Sequence, residues 1–270
     1  MTETAYSRPV STGAGVDHDY GPHVHILGDA WSLSVAARLG HPDTRPPLFH
    51  MLLESAFRRL LQASLDLLPT TVARVPTRMA EHVPGAAYEG AILDPNARVV
   101  IVDVARGGMI PSYVFQRELH QVMDPDVVRV DHVYMQRVTD DAGHVTGVRT
   151  SGSKIGGPVA GATLLVPDPM GATGSSMVDA LTLFKNLEGG PPARMIACHL
   201  FITPEYLRNV TAAFPDAHIF ALRLDRGMSP DDVLSTRLGA RWDAERGLSD
   251  HDYIVPGAGG LGELINNAFV

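Results

Sequence analysis

The stretch Thr163 to Ala180, TLLVPDPMGATGSSMVDA, limits what this chain can fold into more than any other. Thr163 to Val166 is a short apolar run with β-branched members, which suits a strand buried on both faces, as in a parallel sheet. A proline and an acid follow, then Gly171-Ala172-Thr173-Gly174-Ser175-Ser176, then an amphipathic segment from Met177 to Leu187 that reads as helix. Strand, small-residue loop and helix together turn backbone N–H groups and a helix N-terminus toward an anion. Thr173, Ser175 and Ser176 add hydroxyl donors, and Asp168 at the strand's end can accept from a sugar diol. Phosphate donors beside a carboxylate are what a ribose 5-phosphate requires.

Two rival phosphate loops are excluded by spacing. A Walker-type loop needs Lys just before its Ser or Thr, and no Lys lies between Lys154 and Lys185. A dinucleotide fingerprint places its acid well after the glycines, whereas Asp168 precedes them. The plainer reading, a strand–helix turn whose Gly and Ser only cap the helix, stays open on the pattern alone.

The remaining chain repeats the strand–helix alternation. Arg98 to Val104 reads as a buried strand, followed by Ala105-Arg106-Gly107-Gly108 and a helix to about Val122. Paired glycines after a strand allow a tight turn with exposed N–H groups, and a guanidinium beside them suits an anionic leaving group. Further units are a strand over 127–136, a strand over 194–201, a helix over 204–214 and a strand over 217–224. This alternation predicts a parallel α/β sheet, whose ligands bind beyond the carboxyl ends of the strands. Arg106 and Asp168 both fall at such ends. Leu48 to Leu68 is the longest helical candidate, with an apolar stripe from Leu52 to Leu67, and Pro69 ends it. His23 and His25 share one face of a strand over 23–27. A metal there and a solvated strand face are both open, although the sequence offers no convincing third ligand. Arg137 to Lys154 is polar and glycine-rich around an alternating piece, His144 to Val148, as in a β-arm that closes over a reactive donor.

DPMGATGSS resembles the DPMLATGGS loop that binds phosphoribosyl pyrophosphate (PRPP) in uracil phosphoribosyltransferases. The resemblance extends over roughly residues 23–270, with specific motifs in the second half and a looser match in the first. It implies a type I phosphoribosyltransferase-like fold: a parallel sheet flanked by helices, a hood from N- and C-terminal segments, and a flexible β-arm. The site it implies for PRPP comprises Arg106, Gly107, Arg137, Asp168, Pro169, Met170, Gly171, Ala172, Thr173, Gly174, Ser175 and Ser176, with Arg106, Asp168 and Arg137 as the catalytic group. Ala105-Arg106-Gly107-Gly108 is similar to the family's LRAG turn, Arg137 matches the Arg of its YRDE segment, and Lys154 falls at the Lys of its KLP stretch. Tyr253 to Gly262, YIVPGAGGLG, resembles the family's YIVPGLGDAG, the loop whose backbone reads uracil; the matching positions are Ile254, Gly259, Gly260 and Leu261. Lys154 and Tyr253 are further candidates. Magnesium would travel on the pyrophosphate, with no side-chain ligand of its own.

Two departures and an insertion touch the acceptor end. Gly260 stands where the family has an Asp that contacts PRPP, Glu263-Leu264 stands at the family's later Asp-Arg pair, and some twenty residues are inserted before Tyr253, about 228–250. The resemblance therefore implies transfer of a phosphoribosyl group from PRPP to uracil or a related heterocycle, with release of pyrophosphate. An enzyme for a non-uracil ring in a specialised pathway, or a catalytically inactive nucleotide-binding regulator, are the alternatives. Net charge −8 argues against a nucleic-acid or anionic-membrane partner. No apolar run approaches the roughly 18 residues of a membrane span, and the first residues lack a signal-peptide pattern. A cytoplasmic homodimer or higher homo-oligomer is expected, with a loose arm over 1–22 and the phosphoribosyltransferase domain over 23–270. Cys198, the one cysteine, reads as a core residue.

Overall fold

A computed structural model describes residues 15–139 and 145–268, with backbone alone at 136–139 and 145–149. The chain runs β1 (Val24–Ile26), α1 (Ala30–Leu39), α2 (Leu48–Ser64), β2 (Thr70–Pro76), β3 (Ala87–Leu93), β4 (Val99–Ala105) and α3 (Met109–Leu119). Next come β5 (Val128–Thr139), β6 (Val145–Lys154), β7 (Thr163–Pro167), β8 (Met170–Gly171), α4 (Ser175–Lys185), β9 (Arg194–Ile202) and α5 (Pro204–Ala213). β10 (His218–Leu224), α6 (Asp231–Leu234) and α7 (Leu261–Asn266) complete it.

The central sheet has the order β1-β10-β9-β7-β4-β5-β6, with β8 beside β9. Its pairs are parallel except β5 with β6. β7 and, apart from Asp103, β4 are apolar runs because helices cover both faces. Val99 and Ile101 face the side of α2 and α3, where Leu53, Phe57, Leu60 and Phe115 are buried. Val100, Val102 and Val104 face α4 and α5, against Met177, Leu181, Phe184 and Leu207. At roughly 1.5–3 kcal/mol per buried aliphatic or aromatic side chain, these two layers are the main favourable term in the fold.

The N- and C-terminal segments meet over the first face: Ile254, Leu261 and Ile265 join the cluster of α1 and α2, and His50 Nε2 lies 3.2 Å from the Ile265 carbonyl oxygen. That is the expected hood. The long helix ends earlier than its stripe suggests, at Ser64, with a 3-10 turn over Leu65–Leu67 before Pro69. The β-arm region is the antiparallel pair β5/β6; His144 lies outside the described residues.

Two features went unread in the sequence. β2 and β3 form a separate antiparallel hairpin with Val72, Val75 and Tyr88 exposed. Exposed on both sides, it has no in–out alternation to betray it. The insertion over 228–250 packs firmly: Arg226 is buried, and its Nη1 donates to Glu245 Oε1 at 2.6 Å. The loose arm expected over 1–22 is fixed from Val16 onward. Val16 and Tyr20 are buried, Asp19 N donates to Leu238 O at 2.9 Å, and Tyr20 Oη donates to Glu245 Oε2. Residues 1–14 lie outside the described residues.

Candidate functional site

β4 and β7 are neighbours, so the segments leaving their carboxyl ends emerge side by side. After β4 the Ala105–Arg106 peptide is cis, and Gly108 N donates to Val104 O at 2.9 Å to close the turn. Arg106 is exposed at its tip. A Cβ on Gly107 would stand 3.2 Å from Asp168 Oδ1 and 3.4 Å from Pro169 Cδ. The Arg106–Gly107 turn and the Asp168 carboxylate therefore border one space, and glycine at 107 leaves it open.

Beyond Asp168 the chain is pulled backward by its carbonyls. Pro169 O accepts from Leu200 N at 3.1 Å, and Gly171 O accepts from Thr203 N at 3.1 Å. Ala172 O accepts from Thr203 Oγ1 at 2.6 Å, and Thr173 O from Asn209 Nδ2 at 2.6 Å. With the oxygens held against β9 and α5, the N–H groups of the loop face the opposite way, toward the start of α4. Gly174 caps that helix at φ +87°, a left-handed conformation that glycine adopts freely. Thr173 Oγ1 and Ser175 Oγ are 3.3 Å apart, so hydroxyls and amides cluster on the first turn. Met170 and Gly171 form β8 against Phe201 and Ile202.

His199 stands behind Asp168. Its Nδ1 lies 2.7 Å from Asp168 O and its Nε2 lies 2.6 Å from Tyr206 Oη. A carbonyl only accepts, so Nδ1 carries the proton and Nε2 accepts the Tyr206 hydroxyl. Burial lowers the His199 pKa to about 4, so the neutral ring persists. Burial also pushes the Tyr206 phenol well above its ordinary value. Both partners hold the Asp168 backbone in place.

At the 253–262 loop, Gly257 N donates to Asp225 Oδ2 at 2.8 Å, and Gly227 N donates to Val255 O at 2.9 Å. Arg223 pairs with Asp225 and lies over the Phe201 ring at 4.6 Å. These contacts fix the 253–262 loop to the end of β10. Met170 and Ala172 pack against the same cluster as Ile254 and Leu261, which joins the two ends of the site. The side chains of Ile254 and Leu261 are buried, so these positions offer a ligand their backbone only. Gly259 is exposed at φ +73°. The Glu263 carboxylate folds back over Gly260 and fills the space where a side chain at 260 would begin.

Other candidates lie further off. Arg137 is in β5, with its side chain outside the described residues. Lys154 is exposed at the end of β6, opposite His132. Tyr253 is exposed. His218 joins His23 and His25 as a third ring, with His25 Nε2 and His218 Nδ1 3.2 Å apart. Even so, no group of three or more His, Cys, Asp or Glu among the described residues is arranged to hold a metal. Cys198 is buried, and burial raises its thiol pKa. Sequence reasoning missed Thr203, Asn209, His199, Asp225 and the Asp103–His132 pair. Thr203 had a signal, since Thr followed by Pro is a helix start.

Residues 35–243 match the family model described as uracil phosphoribosyltransferase. Uracil phosphoribosyltransferase 1 of Schizosaccharomyces pombe is 26% identical over 243 residues, covering 90% of this chain and 94% of that protein. A uracil phosphoribosyltransferase of Methanococcus maripaludis is 35% identical over 81 residues, covering 30% of this chain and 34% of that protein. The chain thus spans about a third of the length of the archaeal relatives it matches. Among solved structures, the AQ2163 protein from Aquifex aeolicus shares the fold, with TM-score 0.68 and 19% identity over 92% of this chain and 99% of that one.

Proposed function

Because the chain belongs to the uracil phosphoribosyltransferase family, we propose that it transfers a phosphoribosyl group from PRPP to a ring nitrogen of uracil or a related heterocycle. The observation that carries this reading is the meeting of the Asp168 carboxylate, the Arg106–Gly107 turn and the Ala172–Ser176 loop at adjacent strand ends.

In this reading Asp168 accepts from the ribose hydroxyls, and the amides and hydroxyls of residues 172–176 bind the 5-phosphate. Arg106 and Arg137 neutralise the pyrophosphate as its bond to the anomeric carbon breaks. The electron pair stays on the departing oxygen, and the ring nitrogen forms the new bond at that carbon while its acidic proton passes to the pyrophosphate or to water. The carbon passes through oxocarbenium character, so fixed charge and exclusion of water supply most of the acceleration. Magnesium would be carried by pyrophosphate oxygens and water. Bound that way, it would offset the charge of the leaving group. The backbone at Ile254, Gly259, Gly260 and Leu261 reads the base.

The acceptor could differ from uracil at two places: Gly260, now covered by Glu263, and the insertion packed beside the loop. The test is release of pyrophosphate from PRPP and Mg²⁺ with uracil and then with a panel of heterocycles. Turnover on the order of 1–10³ s⁻¹ with uracil would remove the altered-acceptor reading. Saturable PRPP binding without turnover of any ring would favour the inactive regulator. We further propose a homodimer or higher homo-oligomer that uses the β2/β3 hairpin, whose Val72, Val75 and Tyr88 are exposed; light scattering checks the mass.

A further inference from the structure

One buried acid in this region has no place in the reaction just described. Asp103 lies in β4, two residues before the turn, and is 2% exposed. Its Oδ2 pairs with His132 Nδ1 at 2.7 Å, across the β4/β5 register that sets the two residues side by side. Among the described residues its Oδ1 has no hydrogen-bond partner. That oxygen would stand 3.0 Å from a Cβ on Gly108, so it lies directly against the last residue of the turn. The His132 side chain is 44% exposed.

A lone negative charge buried against an anion-binding turn opposes the anion. It is tolerated when an imidazolium cancels it. Resting on the phosphoribosyltransferase reading, we propose that Asp103 and His132 are positioning residues of the pyrophosphate turn, and that pyrophosphate binding is linked to a proton held by this pair. With His132 protonated the pair is neutral; with His132 neutral the pair carries one negative charge beside the anion. Binding therefore favours proton uptake, and affinity falls as pH rises through the titration of the pair.

The charged groups around the pair are accounted for. Burial raises the Asp103 pKa, and His132 opposes that rise. On β6, Lys154 is in register with His132. On the opposite face of β5, Arg129 is committed to Asp131. On α3, Arg117 pairs with Glu54, and Glu118 pairs with Arg58. Asp168 borders the turn at Gly107, and Arg106 is the turn's exposed tip.

The experiment is calorimetric titration of the full chain with magnesium pyrophosphate from about pH 6 to about pH 9, in wild type, His132→Gln and Asp103→Asn. Comparison with the variants cancels the titration of pyrophosphate itself. The wild type is expected to lose at least about fivefold more affinity across this range than His132→Gln, the low end of ordinary coupling between sites. In Asp103→Asn the dependence moves to lower pH, because the imidazolium has lost its counter-charge. His132 is half-exposed, so His132→Gln keeps the test available should Asp103→Asn fail to fold. Parallel curves for the wild type and the folded variants would overturn the inference alone. Failure of the wild type to bind pyrophosphate at any pH would overturn the phosphoribosyltransferase reading and this inference with it.

Discussion

Gly174 shows how the candidate site constrains single residues. Its φ is +87°, and a Cβ there would stand 3.1 Å from Tyr206 O and 3.2 Å from Val210 Cγ2. Gly174→Ala adds left-handed strain to this crowding, so it is expected to lower stability by about 1–2 kcal/mol and to weaken PRPP binding. Thermal melting and PRPP titration read the two effects. Asp168 is only partly buried, so Asp168→Asn should leave the melting temperature nearly unchanged. Its kcat/KM should nonetheless fall by about two to three orders of magnitude if the carboxylate holds the sugar in the transition state. Turnover close to wild type would remove Asp168 from the site. Both residues are legible in the sequence because their chemistry lies in one short string. His199 and Asp103 are not, because each acts on a partner about thirty positions away, through registers between strands.

Among the elements, β4, β7, β9 and β10 were legible because a strand buried on both faces is mostly apolar. The helix limits were less so, since caps and 3-10 turns depend on tertiary contacts. The edge strand β1 carries a histidine cluster whose meaning only the fold supplies. His25 stacks on Phe220 at 4.2 Å and meets His218, because the β1/β10 register sets Val24 opposite Ile219. Burial first, then the neighbouring histidines, lowers the His25 pKa to about 4 from an ordinary 6.5. His199 is lowered likewise by burial. In the unfolded chain these rings take up protons below about pH 6.5; in the fold they do so only near pH 4. Their contribution is therefore complete above about pH 6.5 and is lost as pH falls toward 4. The limit is about 1.4 kcal/mol per pH unit for each site, and solvent screening makes it less for the partly exposed His25. Urea unfolding at pH 7 and pH 5 should show a lower midpoint at pH 5, and His25→Gln should narrow the gap. An equal gap in the variant would show that the cluster does not carry this dependence.

For the molecule as a whole, the question is what fastens the inserted 228–250 segment, the N-terminal arm and the 253–262 loop to one another. The charged run from Asp243 to Arg246 looks from sequence like a solvated surface, yet Glu245 is wholly buried. Its carboxylate receives Arg226 at 2.6 Å, Gly239 N at 2.9 Å and the Tyr20 hydroxyl. Arg226 also donates to Thr236 O at 2.7 Å. One ion pair thus joins the end of β10, the insertion and the arm, and the next residue, Gly227, is bonded to the 253–262 loop. Taking two charges out of water costs several kcal/mol each, so the pair adds little net stability. Breaking it is different, because the remaining charge is stranded. Glu245→Ala should destabilise the chain by about 3–5 kcal/mol, and the 253–262 loop should loosen with it. Asp232→Ala removes the exposed partner of Arg241 and should leave the urea midpoint unchanged, since water replaces that contact. Equal, small shifts for the two variants would mean that Arg226 finds water or another acceptor when Glu245 is gone, and that the insertion is held by its apolar contacts instead.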